Sequence, residues 1–166
     1  MIESLADEDL RECLLTELEG LRRRPSADVE QPIRENFAFI AMSMDPNNPE
    51  LDDILDAIKE GASSCGVTAE RIDEEQTNEP ITKRMLTAIT ESEFVVVDLT
   101  HARPNVYYEA GYAQGLGKIP IYIAKQDAQV HFDIQDYPVI FFRNLRSMRS
   151  SLADRLNAIR DSRKQV

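Results

Sequence analysis

Apolar positions along this chain fall into two kinds of block. The first kind is a short, nearly uninterrupted apolar run, at residues 37–42, 93–100, 119–124 and 139–142. Runs of this length predict strands covered on both faces, and the β-branched density of 93–100 makes it the strongest of them. A weaker, alternating stretch at 67–73 predicts a fifth strand. The second kind repeats at three- and four-residue intervals. Leu51, Ile54, Leu55, Ile58, Ala62 and Cys65 form one such stripe, Ile81, Met85, Ala88 and Ile89 another, and Leu145, Met148, Leu152, Leu156 and Ile159 a closing one. A further helix is expected to start near Asn105. Strands and helices alternating this regularly predict an α/β fold, a doubly wound (flavodoxin-like or Rossmann-like) five-stranded parallel sheet with helices on both faces.

Breaks in the pattern place the boundaries. Asn48 and Pro49 suit a helix cap and first turn, with Glu50, Asp52 and Asp53 near the positive helix end. Gly66 and Gly117 suit helix stops, and Gly111 and Gly115 are expected to let their helix lie close against the sheet. Leu10, Leu14, Leu18 and Leu21 mark an amphipathic helix within residues 1–24, and Pro25 and Pro32 bound a linker over 25–35. The α/β domain is expected over 36–166. The leucine stripe needs a covering surface, on its own domain or on a second subunit, so a homo-dimer or higher homo-oligomer is expected.

Composition narrows the function. The length of 166 residues suits one domain of ordinary size. A net charge of −11 disfavours a polymeric nucleic acid partner. The short basic clusters at 22–24 and 143–149 read as helix-end or surface charge. No apolar run is long enough for a membrane span, and the start lacks a signal-peptide pattern, so a cytoplasmic protein is expected. Cys13 and Cys65 stand alone, with no histidine at metal-ligand spacing.

In such sheets ligands settle at the carboxyl ends of the strands. Ser43, Asp73 and Asp98 fall there. Beyond Asp98 the chain turns at once into a helix on which Asn105, Glu109 and Tyr112 share a face by their spacing, with Asn105 as its cap. The positive helix end favours an ionised Glu109, as a nucleophile or cation stabiliser requires. Two carboxylates facing one cleft suit cleavage of a bond to an anomeric carbon, with Asp98, or His101 in its place, as the acid. Tyr107, Tyr108 and Tyr112 offer flat faces for a base. The plainer alternatives are a solvated Glu109, an Asp98 that caps its own loop, and tyrosines that belong to the edge of the core.

A strand ending in Asp98, a short loop, and a helix running Asn-Val-Tyr-Tyr-Glu-Ala-Gly-Tyr-Ala from Asn105 resemble the nucleoside 2-deoxyribosyltransferase family. The resemblance is closest to its bacterial TIR-like relatives and covers about residues 36–142. It implies N-glycosidic cleavage or deoxyribosyl transfer on a nucleoside, nucleotide or NAD-like small molecule. Glu109 would be the nucleophile, Asp98 would contact sugar or base, and no metal or other cofactor would be required. Arg103 stands where the transferases usually carry an aspartate, and Ala41 to Asp45 stand where they carry a Gly-Pro or glycine-rich turn. Arg103 therefore implies an anionic ligand, such as a nucleotide phosphate. Ser43, Asp73, His101, Asn105 and Tyr112 complete the implied site. The resemblance also implies a role in signalling or bacterial defence, and its alternative is a non-catalytic nucleotide-sensing module that assembles into a homo-oligomer.

Overall fold

The computed structural model describes residues 32–72, 80–134 and 136–163. The helix expected within 1–24, most of the linker, and Asp73 lie outside the described residues. Five strands, β1 (Arg34–Ala41), β2 (Thr68–Arg71), β3 (Ser92–Asp98), β4 (Ile121–Lys125) and β5 (Val139–Phe142), alternate with four helices. The helices are α1 (Pro49–Ser64), α2 (Ile81–Glu91), α3 (Pro104–Gly115) and α4 (Leu145–Arg163). All pairings are parallel, in the order β2-β1-β3-β4-β5. This is the doubly wound α/β fold that the periodicities predict.

Each boundary has a local cause. Asn48 caps α1 by accepting from the Glu50 amide at 3.2 Å, and Pro49 stands in the first turn. Gly66 follows α1 with φ of 78° and Gly117 follows α3 with φ of 74°, left-handed conformations that glycine adopts without strain. β4 begins two residues later than its apolar run, because Pro120 has no amide to donate and Ile119 is 76% exposed. β1 begins at Arg34, inside the stretch assigned to the linker, and its register on β3 shifts between Arg34 and Ala38.

Strand alternation divides the core. Ala38, Ile40, Phe94, Val96, Ile121 and Ile123 face α1 and α4, and pack on Ile54, Ile58, Met148, Leu152 and Leu156. Phe39, Ala41, Val95, Val97, Leu99, Tyr122 and Ala124 face α2 and α3, and pack on Met85, Ile89, Val106, Ala110 and Ala113. Ile81, expected inside, is 51% exposed. Among the described residues no helix is long and apolar enough to cross a membrane. The chain leaves β1 in one direction for β2 and returns to place β3 on its other side. The carboxyl ends of β1 and β3 therefore flank the switch point where such sheets hold ligands.

Candidate functional site

Strand parity decides which side of the sheet each acid takes. Phe94 and Val96 face α1 and α4, and Asp98 continues their row at two-residue spacing. Glu109 lies on α3, whose Val106, Ala110 and Ala113 belong to the opposite core. The two carboxyls thus belong to opposite faces of the sheet, which corrects the expectation of one cleft lined by both. Their surroundings agree with this. Besides its own burial and Thr100, Asp98 feels His101 and Glu50, whereas Glu109 feels its burial and Asn105.

Asp98 is 1% exposed. Its Oδ1 accepts from the Thr100 amide at 3.0 Å and from the Thr100 hydroxyl at 2.7 Å, an Asx turn that folds the chain out of β3. The Thr100 hydroxyl in turn accepts from the Lys125 amide at 3.1 Å, tying this turn to the end of β4. Asp98 Oδ2 is buried and has no hydrogen-bond partner among the described residues. Burial raises the Asp98 pKa, the Thr100 bonds and His101 oppose the rise, and Glu50 adds to it. Asp98 caps its own loop, the plainer of the sequence readings.

Around the switch point the loops are stitched together. Ser43 Oγ donates to the His101 carbonyl, joining the end of β1 to the β3–α3 loop. The His101 ring meets Glu50 Oε2 at 2.8 Å, and Lys125 donates to Glu50 Oε1. Hydrogen bonds from His101 and Lys125 lower the Glu50 pKa, and the same bond to Glu50 raises that of Lys125. Arg103 donates to Asp45 Oδ2 at 2.9 Å on the exposed rim. Ser43, His101 and Arg103 thus lie around the same switch point, and each already serves a protein partner. Glu50, Thr100, Lys125 and Asp45 escaped the sequence reading. Glu50 and Lys125 could have been found as the charged residues at the start of α1 and the end of the β4 run.

Glu109 is 5% exposed, against the reading of a solvated glutamate. Burial pushes its pKa from 4.5 up to about 7, opposed by a hydrogen bond with the Asn105 side chain. Removal from water outweighs the Asn105 side chain, so the neutral form is favoured more than in water, against the expectation that the helix end favours the ionised form. Asn105 is not the cap: α3 starts at Pro104 after Arg103, so Asn105 stands one turn before Glu109, whose pKa its side chain lowers. Tyr112 continues that flank, its hydroxyl 3.3 Å from Thr90 Oγ1 of α2. Gly111 and Gly115 do not bring α3 onto the sheet. Both are exposed, and a Cβ at either would meet nothing within 4 Å.

Cavities of about 280, 660 and 130 Å³ open on the described surface, and neither Asp98 nor Glu109 lines any of these. Among the described residues no three His, Cys, Asp or Glu side chains converge to hold a metal. The fold and these residues define a doubly wound α/β protein with a buried glutamate on the first helix after its central strand. No protein-family model matches the chain, and no curated protein matches it.

Proposed function

We propose that this chain cleaves, or transfers a sugar across, the N-glycosidic bond of a nucleoside, nucleotide or NAD-like small molecule, with Glu109 as nucleophile. One observation carries the proposal: Glu109 is buried on α3 one turn after Asn105, and burial raises its pKa to about 7. At neutral pH such a carboxyl divides its time between both protonation states, and its ionised form has lost most of the water that would blunt attack. A Glu109 oxygen would bond to the anomeric carbon as the bond to the base breaks, the base leaving with the electron pair and taking a proton from solvent. Water or a second base would then displace the ester and restore the carboxylate.

Asp98 takes a different role in this reading. Through Thr100 it shapes the turn that leads into α3, and so acts as a positioning residue. Incubation with deoxynucleosides, nucleoside monophosphates and NAD, with chromatography of released base, tests the proposal. The wild type should release base and Glu109→Gln should lose at least about 100-fold, the scale of a lost nucleophile. Undiminished release by the variant would end the assignment.

A second reading is a nucleotide-sensing module that assembles into a homo-oligomer. The cavity of about 660 Å³ at the carboxyl end of the sheet, lined by neither carboxyl, favours it. Melting shifts with nucleotides, without base release by the wild type, would select this reading.

A further inference from the structure

The cavity of about 660 Å³ is lined by Ala102, Pro104, Tyr107, Gln129, Val130 and His131. It joins the β3–α3 loop and first turn of α3 to the β4–β5 connection, at the carboxyl end of the sheet where this fold class holds ligands. Its volume lies within the ordinary range for small-molecule sites. Tyr107 and Glu109 are two residues apart on α3 and so project about 200° apart around it. Glu109 shares its flank with Asn105 and with Tyr112, which reaches α2. Tyr107 lies on the other flank, against the β4–β5 connection. The cavity is therefore separate from the surroundings of Glu109.

Its chemistry is specific. The Tyr107 and His131 rings meet edge to face with centroids 5.9 Å apart, and the Phe132 ring lies 4.6 Å from His131. Phe132 is 70% exposed, an arrangement that leaves a large ring at the rim of the cavity. Val130, Ala102 and Pro104 add apolar wall, and the exposed Gln129 brings an amide that both donates and accepts. Flat aromatic faces with one amide edge complement a planar heterocycle whose rim carries donors and acceptors. We propose that this cavity is a second, non-catalytic binding site for a planar heteroaromatic ligand of the nucleobase class, held by stacking on Tyr107, with the steeply inclined His131 ring as a side wall and its edge on Gln129.

The test is titration of the full-length protein with adenosine and, separately, thymidine, followed by amide NMR shifts and calorimetry. Glu109→Gln is used as the host, so that turnover cannot consume the probe. The expected result is saturable shifts at Ala102, Val130 and His131 with at least one probe. Tyr107→Leu, which keeps an apolar side chain but removes the stacking face, should weaken binding at least about tenfold, consistent with about 1–3 kcal/mol for a stacked base. Tyr107→Phe should stay within about threefold, and Gln129→Ala should weaken the probe without changing the melting temperature. Shifts confined to the α2-facing flank of α3, affinity unchanged in Tyr107→Leu, or no saturation with either probe would overturn the site. Base release by the wild type is scored separately, so failure here leaves the Glu109 proposal standing and failure there leaves this one.

Discussion

Glu109 and Asp98 are both carboxyls withdrawn from water, and their partners set them apart. Glu109 has a folded pKa of about 7 against an ordinary 4.5. Between those values the folded chain binds more protons at this site than the unfolded chain, so its contribution to stability falls as pH rises and levels off above about 7. Glu109→Gln removes that loss. The variant should be more stable than wild type by on the order of 1–3 kcal/mol at pH 8, with the difference vanishing by pH 4, as read by urea denaturation. Equal stability at both pH values would mean that the carboxyl is hydrated. If Glu109 is the nucleophile, kcat/KM for base release should rise with pH through about 7 as the carboxylate forms.

Asp98 separates charge from hydrogen bonding. Asp98→Asn keeps an oxygen for Thr100 and relieves the buried charge, so its melting temperature at neutral pH should equal or exceed that of wild type. Asp98→Ala strands the Thr100 amide and hydroxyl and should cost about 1–3 kcal/mol. A loss as large in Asp98→Asn as in Asp98→Ala would show that Oδ2 has a ligand. The burial of Glu109 was not legible in the sequence. It depends on how α3 packs in the folded chain, which local spacing does not encode.

At the scale of elements, glycine marks one close approach, and it is not in α3. A Cβ on Gly61 of α1 would lie 3.0 Å from the Arg149 carbonyl oxygen and 3.2 Å from its Cα, both backbone atoms of α4. Gly61→Ala should therefore push the two helices apart and cost about 1–3 kcal/mol. Gly111→Ala should instead stabilise by about 0.5–1 kcal/mol, because that position is open and glycine weakens a helix interior. The pair, compared by denaturant midpoint, distinguishes packing glycines from propensity defects. Helix stripes were legible because α1 and α4 bury large residues on one side only, as with Leu51, Ile54 and Ile58 or Met148, Leu152 and Leu156. In α3 the buried side chains are Val106, Glu109, Ala110 and Ala113, and such a stripe gives little signal of which glycine touches a neighbour.

For the whole molecule, two cores on either side of one sheet account for the described stability. Their buried hydrophobic residues run from Ala38 to Leu156. A chain starting at Ile33 should consequently keep a cooperative melt. Its loss would show that residues 1–32 are needed to complete the fold.

The order of strands and helices, the Asn48 cap and the parallel sheet could be read from sequence, because burial imposes periods of 2 and 3.6 that survive in linear order. Which acids meet could not. Glu50 reaches His101 and Lys125 across 51 and 75 positions of chain, and only the folded sheet brings them together. Asp98 and Glu109, only eleven residues apart, are divided by it. A strand turns each successive side chain to the other face, so the faces they occupy were settled by tertiary packing.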